Sequence, residues 1–200
     1  MFKPDLEKLI EFTKFLNEFH RVQRAVWATG ENRMENDAEH SFQLAMTAWY
    51  LITLHKLEYD LYLVLQYALA HDLVEIYAGD TGLFSKDRAH KESKAQREHE
   101  AFLKIKQKFL EFPELTEIIQ KYELKGDPES LFVYALDKIL PPLNIHLDNG
   151  RAYQTQKVTL KMEIESKTDK VAVSPEIKEY YEEIKILWEK NSHYFAQKGE

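Results

Sequence analysis

The chain of 200 residues contains no cysteine. That excludes a disulfide framework, a thiolate nucleophile and a thiolate metal ligand, so any metal site must draw on His, Asp and Glu. Glycine and proline are scarce, six of each, so helices are seldom interrupted. Long hydrophobic runs are missing too. The longest, near residues 61–70, is about half of the ~20 residues that a membrane span needs. Residues Met1–Lys8 include acids and no apolar run, which does not read as a signal peptide. The expectation is a cytoplasmic protein with no membrane partner. Positive charge is also in deficit: 27 Lys and Arg stand against 34 Asp and Glu, a formal net charge of −7. Such a chain is ill suited to gripping a nucleic acid polymer. A small phosphorylated ligand stays possible, because one metal ion and one or two arginines can hold a single phosphate.

What is present is helical patterning. Leu6, Leu9, Ile10, Phe12, Phe15, Leu16 and Phe19 recur at helical spacing. A polar connection over 29–37 follows, and Asn36 with Glu39 three residues later has the form of a capping box. It would open a helix through about residue 54 with Phe42, Ala45, Met46 and Trp49 as its apolar stripe. Residues 59–77 read as a third, mostly buried helix, and 79–82 as a break. Further helices are expected over 86–112, 113–122, 129–140, 158–170 and 175–195, with turns at 126–128 and 149–155. The tandem Pro141 and Pro142 should end or kink the 129–140 helix. With no strand pattern and no linker, the fold class expected is all-α: one domain over 1–200, with a metal-binding core at about 20–140 and C-terminal helices over 141–200.

Three segments carry possible chemistry: Ala38–Ser41 around His40, Ala70–Thr81 beginning with His71 and Asp72, and Leu136–Ile139 around Asp137. Each sets a potential metal ligand in an apolar helical context. Alone, His40 reads as a cap or packed histidine, His71–Asp72 as a hydrogen-bonded pair, and Asp137 as a cap or ion-pair residue. Together they make a better case for a cation, since burying adjacent polar groups is costly without a partner. Imidazole and carboxylate suit Mn, Co, Fe or Zn. Glu75 lies four residues beyond His71 and three beyond Asp72, one turn on along a helix. There it could take a proton from an attacking water.

The order His…His-Asp…Asp resembles the HD-domain superfamily of metal-dependent phosphohydrolases. More closely, Glu39–Ser41, His71–Glu75 with Gly79 and Asp80 beyond, Arg97–Glu98 and Asp137–Lys138 look like the YfbR-like 5′-deoxynucleotidase branch. The resemblance runs from about Phe15 to the C-terminal helix. It implies that His40, His71, Asp72 and Asp137 hold one divalent ion, of Co, Mn, Fe, Zn or Mg. It implies Glu75 as general acid/base, Asp80 at the substrate and leaving 5′ oxygen, and Arg24 at the phosphate. In that branch a Trp directly follows the Arg; here Ala25 follows and Trp27 comes three positions on. Arg33 therefore competes with Arg24 for the phosphate.

The function this implies is hydrolysis of (deoxy)nucleoside 5′-monophosphates. The alternatives are another HD-domain phosphohydrolase, acting on nucleoside triphosphates, cyclic nucleotides or guanosine polyphosphates, and a non-catalytic nucleotide-binding protein. Ile76 after Glu75 argues against the guanosine polyphosphate enzymes, which usually carry Glu-Asp there. The basic stretch 86–108 reads as a solvated face, with a lid carrying Lys86 or Arg88 as the sharper reading. A homodimer is expected from the resemblance and the 12% aromatic content.

Overall fold

The computed structural model describes residues 3–82, 84 and 87–197. Helix α1 spans Leu6–Phe19, capped by the Asp5 carboxylate. A two-stranded antiparallel hairpin follows, β1 (Gln23–Trp27) and β2 (Met34–Asn36), irregular between its paired ends. Then come α2 (Asp37–His55), α3 (Leu61–Ala70), the short α4 (Glu75–Ala78) and α5 (Arg88–Glu92), and α6 (Lys94–Lys108). Helices α7 (Pro113–Leu124), α8 (Pro128–Leu147), α9 (Arg151–Gln156), α10 (Leu160–Val171) and α11 (Pro175–Lys190) complete the described fold. It is all-α apart from the hairpin. No helix among the described residues is long and apolar enough to cross a membrane.

The core lies where α2, α3 and α8 meet, with α10 and α11 packed on α8. Leu44, Val64, Tyr67, Phe132 and Leu136 are fully buried there. At ~1.5–3 kcal/mol for each large apolar side chain, such residues hold the ligand-bearing helices in register. The expected capping box opens α2: Glu39 N–H donates to Asn36 Oδ1 (3.0 Å) and Asn36 N–H to Glu39 Oε2 (3.1 Å).

Several expectations are corrected, the turn over 149–155 among them, since Arg151–Gln156 is helical. The sequence pattern predicts no strand, yet residues 23–27 and the end of the 29–37 connection pair as a hairpin, because Val22–Trp27 shows no apolar–polar alternation and gives no strand pattern to read. The 59–77 helix breaks after Ala70. Residues 71–74 turn tightly, with Leu73 N–H donating to Ala70 C=O (3.2 Å) and Glu75 N–H to Asp72 C=O (2.9 Å). The 86–112 helix divides at Ser93 into α5 and α6. Helix α8 runs through Pro141 and Pro142 to Leu147. The prolines leave only the Asp137 and Lys138 carbonyls without intrahelical donors, and buried Leu140, Asn144 and Ile145 hold the second half to the core. On α2 the stripe also differs. Ala45 is buried, but Phe42, Met46 and Trp49 are 65%, 46% and 48% exposed; His40, Leu44, Ala48 and Leu51 face inward.

Candidate metal centre

The tight turn after α3 presents His71 and Asp72, the first turn of α2 presents His40, and the middle of α8 presents Asp137. His40, His71 and Asp72 bring one ligand atom each within 4.8 Å of one another. Asp137 joins this group through His40, its Oδ1 lying 2.9 Å from His40 Nε2. His71 Nδ1 donates to the Ala68 carbonyl at 3.0 Å, which sets the ring and turns Nε2 toward the cluster. His71 Nε2 lies 2.8 Å from Asp72 Oδ2, yet it is buried without a hydrogen-bond partner. The oxygen is close but off the N–H axis, as when two donors converge on a common third point.

The electrostatics fit a divalent cation. Burial, assisted by the Arg24 charge, lowers His40 to about 4, so its imidazole is neutral near pH 7 and carries a lone pair. Asp137 resists its burial through Lys138, His40 and His71 and stays well below the usual carboxylate range. Asp72 does the same through His71 and Arg24. His71, although buried, is raised by Asp72. Two imidazoles with two ionised carboxylates form a donor set for Mn, Fe, Co or Zn.

A second cluster adjoins the first. Asp37, Asp72 and Glu75 also bring carboxylate oxygens within 4.8 Å of one another. Here the protein supplies its own cation. Arg24 on β1 donates from Nη1 to Asp37 Oδ1 (3.1 Å) and Asp72 Oδ2 (2.9 Å), and its Nε lies 3.5 Å from Glu35 Oε2. These acids hold the guanidinium charged against its burial. The hairpin carries Arg24 on β1 and Glu35 on β2, and Asp37 opens α2 directly after it.

Glu75 is buried, 5% exposed, and its Oε2 has no partner. Burial first, then Asp72, Asp37 and Asp80, push its carboxyl well up. A carboxyl raised in this way is suited to acid–base work. Asp80 follows Gly79, whose φ of +73° is the left-handed turn that glycine permits. Burial raises Asp80 while Arg24 opposes the rise. Arg97 staples this turn, bonding the Ala78 carbonyl, Thr81 Oγ1 (2.9 Å) and the His90 carbonyl (2.8 Å).

Arg24, Asp72, Glu75, Asp80 and Asp137 line one cavity, and Arg24, Asp80 and Trp27 line a second that opens beside it. The Trp27 indole is backed by the Arg151 guanidinium, 4.2 Å from the ring centroid. Arg33 lies apart from both. It is exposed and bonds Glu31 (2.7 Å) and Glu39 (2.6 Å). Of the basic stretch, Arg88 is exposed, Lys94 lines the first cavity, and Lys86 lies outside the described residues. Sequence reasoning did not single out Asp37, Glu35 or Lys94. Asp37 had a usable signal, being three residues ahead of His40 on the same helical turn.

A family model described as HD domain matches residues 16–178. Three solved structures share the fold. A predicted metal-dependent phosphohydrolase from Magnetospirillum magnetotacticum MS-1 is 24% identical, with 96% of each chain covered and a TM-score of 0.82. The PH0347 protein from Pyrococcus horikoshii OT3 is 22% identical over 92% of this chain and 99% of that one, with a TM-score of 0.61. A conserved hypothetical protein from Pyrococcus furiosus is 21% identical over 88% and 98%, with a TM-score of 0.58. No curated protein matches the chain.

Proposed function

The chain belongs to the HD-domain family, and from that premise we propose that it is a metal-dependent phosphohydrolase acting on (deoxy)nucleoside 5′-monophosphates. The observation that carries this reading is the gathering of ligand atoms from His40, His71 and Asp72 within 4.8 Å of one another, with Asp137 behind His40 and the buried Glu75 beside them. The likeness to a predicted metal-dependent phosphohydrolase and the resemblance to the YfbR-like branch support it. His40, His71, Asp72 and Asp137 would hold a divalent ion, which when bound would supply Lewis-acid chemistry to a phosphoryl oxygen and to water.

The chain's own residues supply the rest. Glu75 exchanges a proton with the attacking water or the departing oxygen, because burial and the neighbouring Asp72, Asp37 and Asp80 raise its carboxyl and make it a better proton carrier. Asp80 stands at the junction of the two cavities and accepts a hydrogen bond from the sugar side of the ester. Arg24 holds Asp72 and Asp37 in place, so it acts mainly as a positioning residue, with its remaining edge toward the phosphate. Trp27 and Phe84, in the second cavity, offer the base an aromatic wall.

The test is phosphate release from deoxynucleoside mono-, di- and triphosphates at equal concentration, after chelation and with each of several metals added back. The monophosphate is expected to be cleaved fastest. Faster release from the triphosphate would move the protein to triphosphohydrolase chemistry. Absence of release with every metal would favour a non-catalytic nucleotide-binding protein. We further propose a homodimer, formed through the exposed Phe42, Met46 and Trp49 face of α2.

A further inference from the structure

One wall of the first cavity has no part in the chemistry above. Lys138 on α8 and Lys167 and Lys170 on α10 line it, one helical turn separating the last two. Lys138 bonds Asp137 and lies over the Tyr134 ring, 4.9 Å from its centroid. Lys167 is only 6% exposed. Among the described residues its carboxylate partner within 4.0 Å is Glu163, whose Oε1 stands 3.8 Å away, beyond hydrogen-bond reach. Lys170 is half-buried and has no carboxylate within 4.0 Å among the described residues. Glu163 and the Tyr153 hydroxyl are buried beside them and interact with each other. Burial lowers both Lys167 and Lys170, Glu163 or Asp137 partly offsets it, and Lys138 lowers them further by repulsion. Buried polar groups left without partners call for an explanation, and like charges gathered on one wall call for an anion between them.

We propose that Lys138, Lys167 and Lys170 form the anion subsite that receives a phosphate monoester dianion beside the metal centre. The proposal rests on the phosphohydrolase reading, but its recognition chemistry is separate. Asp137 neutralises Lys138 in the metal-free protein; once Asp137 is committed to a metal ion, three ammonium groups on this wall face one carboxylate, Glu163. That surplus suits a monoester phosphate, which carries about −1.5 to −2 near neutral pH. A phosphodiester, with a single charge and no third free oxygen, leaves part of the surplus unmatched. The subsite therefore favours terminal phosphates and disfavours cyclic or internal ones. It also frees Arg24, whose Nη1 is committed to Asp37 and Asp72, from serving as the main phosphate anchor.

Binding of methyl phosphate and dimethyl phosphate to the full chain at pH 8, followed by calorimetry with and without added Mn²⁺, tests this without any turnover. The Mn²⁺-loaded protein is expected to bind methyl phosphate at least ten-fold more tightly than dimethyl phosphate. Lys170→Gln should weaken methyl phosphate binding at least ten-fold at unchanged melting temperature and metal content, and Lys170→Arg should restore most of it. Lys161→Gln, on the exposed side of α10, should change nothing. Equal affinity for the two phosphates, or Lys170→Gln binding like the parent, overturns the proposal. A protein that binds methyl phosphate in this pattern but cleaves no nucleotide would refute the hydrolase reading and leave the subsite standing.

Discussion

Replacing Arg24 by Met tests the electrostatic frame of the site. The guanidinium is 13% exposed and serves Asp37, which is fully buried, Asp72 and Glu35. Methionine keeps most of the volume and removes the charge. Removing one partner of a buried ion pair costs about 3–5 kcal/mol, because the remaining charge is left uncompensated. For a chain of this size each kcal/mol lowers Tm by roughly 2–4 °C, so a fall of about 6–20 °C is expected for the chelated protein at pH 8. The pH dependence has a definite sign. Burial already raises Asp37 and Glu35 above their unfolded values, and Arg24 opposes that rise. Without it they rise further, and groups raised in the folded state give stability that is present at low pH and lost as pH climbs through the folded pKa. The deficit should therefore be small at pH 5 and largest at pH 8. Adding a divalent ion should recover more stability in the variant than in the parent, because Asp37, Asp72 and Glu75 are then open to a cation. Thermal unfolding followed by circular dichroism reads all of this. A variant within about 2 °C of the parent at pH 8 would refute the reasoning, since the three carboxylates would not then depend on Arg24.

Other expectations follow from the same geometry. Glu35 is raised to about 7, chiefly by burial, so its contribution is present below the unfolded value near 4.5 and lost as pH rises through 7; Glu35→Gln should raise Tm at pH 8, by about 2–3 kcal/mol of stability, and not at pH 4.5. A parallel pH profile for parent and variant would contradict this. Glu75→Ala should keep its metal by elemental analysis and lose about 10²–10⁴ in kcat; loss of metal together with activity would make Glu75 a ligand instead. Trp49→Glu should convert a dimer to monomer in sedimentation velocity, and a parent that sediments only as monomer at micromolar concentration removes the dimer proposal.

Much of the helical fold was legible because its signals are local. The Asn36–Glu39 capping box needs only four residues to be read, and it marks the start of α2. His71 and Asp72 stood out because adjacent polar residues in an apolar run require a partner. What escaped the sequence depended on tertiary context. The break after Ala70 has no Gly or Pro to mark it. Pro141 and Pro142 forecast a stop that packing of Asn144 and Ile145 overrides. The Phe42–Trp49 stripe has helical spacing, but spacing cannot tell which face turns inward when both are apolar. Lys167 and Lys170 carry no local signal in the sequence, and only the approach of α10 to α8 brings them to the cavity beside Asp137.

The central claim is a single divalent ion held by two imidazoles and two carboxylates, and anomalous diffraction from crystals soaked in Mn²⁺ tests it most directly. The predicted result is one peak within about 2.0–2.3 Å of donor atoms from His40, His71, Asp72 and Asp137, absent in His71→Ala. A peak held by Asp37, Asp72 and Glu75 with the histidines unengaged, or full occupancy in His71→Ala, would contradict it.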